Sequence, residues 1–260
     1  MDLNLQGRTA LVTGASMGIG EHIAQTLAAE GVNLHLAARS ADKLEAVKAR
    51  ITAAHGVAVT THALDLSVKG AVATLAETVE AVDILINNAG AIPSGDLWDV
   101  DEDAWRTGFD LKVYGYIDMC RLFYAKMKQA GGGVIINIIG NGGEVLDRDY
   151  IAGATGNISL MGFTRALGGY ALDDGMRVVG INPGPVNTDR IYTMLKKWAE
   201  KDLGDADRYQ ELAAGYPLGR PAHCAEISDL VAFLASDRAG YTTGTVYTVD
   251  GGISARTSII

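Results

Sequence analysis

Short apolar runs alternate with longer stretches of helical period along the whole chain. Residues 9–13 (TALVT) form a buried-strand run, and 18–30 follow with Ile23, Ala24, Leu27 and Ala28 on one helix face. The pair recurs. Strands are predicted over 32–38, 57–64, 83–87, 134–139, 177–181 and 245–249. Helices are predicted over 42–54, 67 to about 80, about 101 to 129, and 156–172. Strands separated by helices of ten or more residues need crossover connections, so they pair in parallel with helices on both faces. The expected fold is α/β: a single doubly wound domain over 1–260, with a seven-stranded, mostly parallel sheet. The stretch 191–216 breaks the alternation with Tyr192, Lys196, Lys197, Trp198, Asp205, Asp207 and Tyr209. It reads as a surface excursion, a substrate loop or lid over about 189–216.

Composition narrows the function. The 260 residues are 48% hydrophobic and 20% charged, a balance that builds a core rather than a disordered chain. The net charge is −9 and no block of Lys and Arg stands out, which argues against nucleic acid and against an acidic membrane surface. No apolar run approaches the roughly 18 residues of a membrane span. The first residues, MDLNLQGR, do not resemble a signal peptide, so a cytoplasmic location is expected. Cys120 and Cys224 form no CxxC, and the five histidines lack metal-ligand spacing. No metal is expected. No Gly-x-Ser-x-Gly elbow supports acyl transfer.

The first strand runs into Thr13-Gly14-Ala15-Ser16-Met17-Gly18-Ile19-Gly20. Glycines between a strand and a helix start allow a tight turn and let a pyrophosphate approach free amides, as in Rossmann-type domains. Gly14, Ser16, Met17, Gly18, Ile19 and Gly20 are therefore candidate dinucleotide contacts. The second strand ends in Ala38-Arg39-Ser40. An acid there would bind the ribose 2′-OH and repel a 2′-phosphate. Arg39, with Ser40 beside it, instead offers donors to phosphate, so NADP is expected as cofactor and NAD less so.

These residues, with four later motifs, resemble the short-chain dehydrogenase/reductase family over essentially the whole length. The later motifs are Asp65-Leu66, Asn87-Asn88-Ala89-Gly90, the run NPGPVNT at 182–188, and the ending GTVYTVDGG at 244–252. The resemblance implies that Asp65 and Leu66 contact adenine and that Asn88, Ala89 and Gly90 line the cofactor cleft. It implies that Pro183, Gly184, Val186 and Thr188 hold the nicotinamide end. It also implies a small-molecule substrate, and a homotetramer or homodimer that pairs its long fourth and fifth helices.

The family's usual chemistry uses an Asn, a Ser and a Tyr-x-x-x-Lys. The Tyr exchanges a proton with the substrate oxygen, and the Lys charge lowers the Tyr pKa. Matching by local register puts Lys112 at the Asn position, Gly140 at the Ser, Gly153 at the Tyr and Asn157 at the Lys. The usual groups are missing, while the dinucleotide cleft is intact. Asn157 is counted with the cofactor contacts. Three readings follow. The first is an oxidoreductase with replacement groups: Lys112, Tyr150 one helical turn before Gly153, and Glu144 from the acidic loop. The second is a non-redox enzyme, an isomerase, lyase or hydrolase on the same fold. The third is a catalytically inactive NADP-binding sensor or subunit. Two glycines where side chains normally crowd the cleft also suggest a bulkier or differently placed substrate.

Overall fold

In the computed structural model, which describes residues 1–80 and 82–256, seven strands lie in one sheet in the order β3-β2-β1-β4-β5-β6-β7. They are β1 (Thr9–Thr13), β2 (Asn33–Ala38), β3 (Val59–Ala63), β4 (Ile84–Asn87), β5 (Gly133–Ile138), β6 (Met176–Pro183) and β7 (Val246–Val249). Every pairing is parallel, where the sequence pointed to a mostly parallel sheet. Position 81 and positions 257–260 of the expected domain lie outside the described residues.

Alternation along each strand sends successive side chains to opposite faces. Ala10, Val12, Ile84, Ile86, Val134 and Ile136 meet α1 (Gly18–Ala29), α2 (Ala41–His55) and α9 (Cys224–Ala235) through Ile23, Leu27, Leu44, Val47, Ile227 and Val231. Leu11, Leu85, Ile135 and Val178 meet α3 (Ala71–Thr78) and α5 (Gly115–Gln129) through Leu75, Phe123 and Met127 on the other face. Both faces are covered, which is why the strands read as nearly continuous apolar runs. The strand order reverses between β1 and β4. Crevices at such switch points, outside the strands' carboxyl ends, are where this architecture binds ligands.

Three local features differ from expectation. The long helix is α4 (Glu102–Phe109) and α5 joined by a π-helical turn over Asp110–Tyr114. α6 runs Ile151–Gly168, five residues earlier than its apolar period suggested, because the Ala154 amide already bonds Tyr150 O at 2.9 Å. The excursion read as a substrate loop or lid contains two helices that the apolar period did not announce, α7 (Asp189–Leu203) and α8 (Tyr209–Ala214), with a glycine, Gly204, ending α7 in the left-handed region. Among the described residues no helix is long and apolar enough to cross a membrane.

Candidate active site

The turn between β1 and α1 is built together with the exit of β4. The amides of Asn88 and Ala89 donate to Thr13 Oγ1 at 2.9 and 3.0 Å, and that hydroxyl donates to Ile86 O at 3.2 Å. Asn88 Nδ2 returns the connection, donating to Thr13 O at 3.0 Å and Gly14 O at 3.3 Å. Asn88 thus acts through its side chain as a brace for the glycine turn. Gly20 approaches this brace so closely that a Cβ would stand 2.3 Å from Gly14 O. On the far side, Thr188 Cγ2 lies 3.2 Å from the Cβ position of Gly18, so the exit of β6 closes over the turn.

What remains open suits a dinucleotide. Among the described residues the amides of Met17, Gly18 and Ile19 donate to no backbone carbonyl. Free amides at a helix start, aligned with the helix dipole, favour a pyrophosphate. Arg39 is exposed and has no ion-pair partner among the described residues. Ser40 begins α2 without a side-chain capping bond. Asp65 accepts from the Ser67 hydroxyl at 2.7 Å and amide at 2.9 Å. Those bonds hold its carboxyl below the usual range, and the charge of Arg39 adds to the effect. Leu66 is buried against α3, so it offers the cleft little beyond its backbone. Pro183 ends β6 and Gly184 follows it, its amide bonded to Val249 O at 3.0 Å, while Val186 is buried and its carbonyl accepts from Thr188 Oγ1 at 3.2 Å.

On the β5–α6 side the geometry changes character. Lys112 sits in the π turn, a helix irregularity often found at functional sites. Its Nζ donates to Ile139 O at 2.5 Å, and its stem passes Gly90, where a Cβ would meet Lys112 Cδ at 2.9 Å. The ammonium therefore stands between the exits of β4 and β5. Burial pushes its pKa down to about 7, and the neighbouring Arg190 charge pushes in the same direction. Arg190, at the start of α7, donates to Gly90 O and Ile92 O, each at 3.2 Å. Sequence reading missed Arg190. Its only signal was a cation at the start of a helix, where the dipole disfavours one.

Tyr150, Gly153, Gly140 and Asn157 come together at the start of α6. Tyr150 occupies the N-cap position, and its ring lies across Gly153. A Cβ on Gly153 would be 2.0 Å from Tyr150 Cζ, the carbon that bears the hydroxyl. The phenol thus fills the space where a side chain at 153 would begin. Gly140 has φ +136°, and a Cβ there would meet Asn157 Nδ2 at 3.1 Å. Glu144 points elsewhere. Its Oε1 accepts from Asn182 Nδ2 at 2.8 Å and Thr248 Oγ1 at 2.6 Å, tying the loop after β5 to β6 and β7. In that arrangement its carboxylate is a strut, and Asn182, which opens the NPGPVNT run, is a second residue to which the sequence reading gave no role of its own. Tyr116 is buried with its hydroxyl donating to Ile138 O at 2.9 Å, as a core tyrosine.

The family model described as Enoyl-(Acyl carrier protein) reductase matches residues 14–254. Oxidoreductase UcpA of Salmonella typhimurium is 34% identical over 260 residues, covering 98% of this chain and 97% of the relative. Galactitol 2-dehydrogenase (L-tagatose-forming) of Cereibacter sphaeroides is 31% identical over 250 residues, covering 95% of each chain. The crystal structure of L-sorbose reductase from Gluconobacter frateurii complexed with NADPH and L-sorbose superposes with a TM-score of 0.91 at 30% identity, covering 99% of this chain and 100% of that one. The braced glycine turn, the sheet order and these whole-length similarities agree: the chain belongs to the short-chain dehydrogenase/reductase family of oxidoreductases.

Proposed function

We propose that the protein is an NADP(H)-preferring oxidoreductase that interconverts a carbonyl and an alcohol on a small polar molecule, with Lys112 and Tyr150 in place of the family's usual proton-handling groups. One observation carries the reading: the Tyr150 ring packs into the space beside Gly153, its hydroxyl-bearing carbon nearest the position of the absent side chain. A phenol there supplies a hydroxyl that can give or take a proton, which Gly153 cannot. NADP preference is supported by the exposed Arg39 guanidinium beside the uncapped start of α2. The substrate class is supported by two relatives, whose names carry galactitol and L-sorbose.

The nicotinamide ring, when bound, supplies hydride chemistry at the carbonyl carbon. Met17 to Ile19 would hold the pyrophosphate by their amides, Arg39 and Ser40 the 2′-phosphate, and Thr188 the nicotinamide end. The substrate oxygen needs a proton in the reducing direction and loses one in the oxidising direction. Tyr150 is the group that meets that oxygen. Lys112 holds an exchangeable proton in the same cleft, at a pKa of about 7 where both of its forms are populated near neutrality. Arg190 fixes the β4 exit around it. The exposed Tyr114 and Leu122, eight residues apart and so about two turns along one helical rod, support self-association as a homodimer or homotetramer.

The test follows absorbance at 340 nm with NADPH and NADH against a ketose panel that includes L-sorbose. Tyr150→Phe is expected to lower kcat more than a hundredfold while leaving NADPH affinity unchanged. Saturable NADPH binding with no absorbance change for any carbonyl would favour the binding-only reading. Full activity in Tyr150→Phe would remove the assigned role of the phenol.

A further inference from the structure

Lys112 and Arg190 both rest on the exit of β4. The Lys112 stem passes Gly90, whose carbonyl accepts from Arg190 Nη1 at 3.2 Å. The charge of Arg190 reaches Lys112, and it reaches Tyr116, whose hydroxyl holds Ile138 O next to the Ile139 O that Lys112 holds. Two cations so placed repel each other, and Arg190 also lies in the first turn of α7, where the helix dipole disfavours it. Elsewhere cations meet carboxylates, as Lys128 meets Asp174 at 2.6 Å and Lys201 meets Asp149 at 2.9 Å. Among the described residues neither Lys112 nor Arg190 has such a partner, in a chain of net charge −9. Both keep free donors. Of the five N–H groups of a guanidinium, Arg190 gives one to Gly90 O and one to Ile92 O, and of the three of an ammonium, Lys112 gives one to Ile139 O. Arg190 is exposed and Lys112 half-buried, so a solute can reach both.

The pair stands beside α6, the helix that Tyr150 caps. A Cβ on Gly156 of that helix would meet Ile92 Cδ1 at 2.7 Å and Val113 Cγ2 at 3.3 Å, side chains of the Arg190 acceptor and of the residue after Lys112. A pyrophosphate has its own donors in the free amides of Met17 to Ile19. A nicotinamide ring, neutral when reduced and positive when oxidised, calls for no cation. We infer that Lys112 and Arg190 form a subsite for a carboxylate of the substrate, so that the molecule reduced or oxidised is a keto acid or a hydroxy acid. The planar fork of Arg190 matches two carboxylate oxygens. The carbonyl oxygens of Gly90, Ile92 and Ile139 already crowd the two cations, which suits a monoanion better than a phosphate dianion. The inference rests on the oxidoreductase reading above and adds the charge of its substrate. A bound carboxylate would also keep Lys112 protonated, the form that gives a proton in reduction.

Calorimetry on NADPH-saturated protein tests it with two matched pairs, galactonate against galactitol and glycerate against glycerol. In each pair a carboxylate replaces a CH₂OH group, and no ketone or aldehyde is present to turn over. Wild type should bind at least one of the acids about tenfold or more tightly than its neutral parent. Arg190→Gln and Lys112→Met should each remove most of that preference, with NADPH affinity kept within about threefold. Titrations at about pH 8 in buffers of different ionisation enthalpy count the protons taken up. Burial brings the Lys112 pKa to about 7, and Arg190, which adds to that shift, is its one charged neighbour among the described residues. Acid binding should therefore take up about one proton in wild type and about none in Lys112→Met. If Lys112→Met does not fold, Arg190→Gln carries the comparison. Three results overturn the inference: acids that bind no tighter than their parents in both pairs, NADPH affinity that falls in Arg190→Gln while acid affinity does not, or acid binding by wild type without proton uptake. Acid binding as expected, in a wild type whose absorbance at 340 nm no carbonyl changes, would instead sink the oxidoreductase reading and leave the subsite standing.

Discussion

Around the β1 turn, Thr13, Asn88 and Asp65 all use their polar atoms on neighbouring backbone or on Ser67, and the free donors are main-chain amides. Around the start of α6, Asn157 keeps an unpaired buried oxygen, glycines stand at 140, 142, 143 and 153, and the Tyr150 ring from the helix N-cap lies across Gly153. The first region keeps one buried amide oxygen unpaired as well, on Asn87, but what it presents to an anion is main-chain amides. The second differs in its packing: the Tyr150 ring lies across Gly153, and glycines of the loop after β5 press onto Asn157. The difference separates generic cofactor binding from substrate chemistry within one cleft. Conformity to a family pattern marks the half that all members share. A departure from it, expected by register at residues 140, 153 and 157, would mark the half where this protein's own reaction is decided.

The largest effect should come from forcing the second region back to the usual pattern. Gly140→Ser, Gly153→Tyr and Asn157→Lys together place a side chain at φ +136°, a Cβ 2.0 Å from Tyr150 Cζ, and a cation in a site only 2% exposed. Overpacking costs about 1–3 kcal/mol per site. The triple variant should therefore lose several kcal/mol of stability in urea unfolding. Adding Tyr150→Ala should recover part of that loss and be required for any gain in ketone reduction. A triple variant as stable as wild type would mean that Tyr150 does not hold the space beside Gly153.

Much of the first region was legible because its signals are local. Gly14, Gly18 and Gly20 lie within one turn, and the strand before and helix after them follow from period alone. The second region was legible only by subtraction. Register raised the expectation that residues 140, 153 and 157 lack the usual groups, but gave no sign of what would stand in for them. That Tyr150 covers Gly153 depends on where α6 starts, and the apolar period placed that start five residues late because Gly153 and Gly156 weaken it. Arg190 and Asn182 reach their partners across 100 and 38 positions, and no spacing rule reports such contacts. Glu144 sits in the right loop, but its direction is set by Asn182 and Thr248, two strands away.

A smaller effect should appear at Lys112, which stands where the two regions meet. Its folded pKa of about 7 lies well below its ordinary value, so between about pH 7 and 10 the unfolded chain binds the extra proton. This residue's contribution then makes the protein more stable as pH rises through that window, and its penalty is fully present below pH 7. Lys112→Met should flatten that part of the stability profile and raise the melting temperature on the acid side. The same titration should appear in turnover. Reduction, which consumes a proton, should fall as pH rises through about 7, and oxidation should rise. A wild-type profile already flat across pH 6 to 10 would show that Lys112 keeps its ordinary pKa and has no part in the proton path.

The smallest effect belongs to the first region, at Arg39. The side chain is exposed, so its attraction to a 2′-phosphate is exerted partly through water and is screened by salt. The start of α2 would contribute to the same phosphate through its dipole and through Ser40, so that Arg39 would not be the sole donor. Arg39→Ala should therefore weaken NADPH about tenfold, equivalent to about 1.4 kcal/mol, and leave NADH unchanged. The contrast between the two cofactors, measured by fluorescence titration at low and high salt, isolates the 2′-phosphate from the rest of the dinucleotide. Added salt should shrink the wild-type preference and barely alter that of the variant. Equal binding of the two cofactors by the wild type would assign Arg39 to the solvated start of α2. The cleft would then be general for dinucleotides, with the carboxyl of Asp65 held below its usual range by the Ser67 hydroxyl and amide.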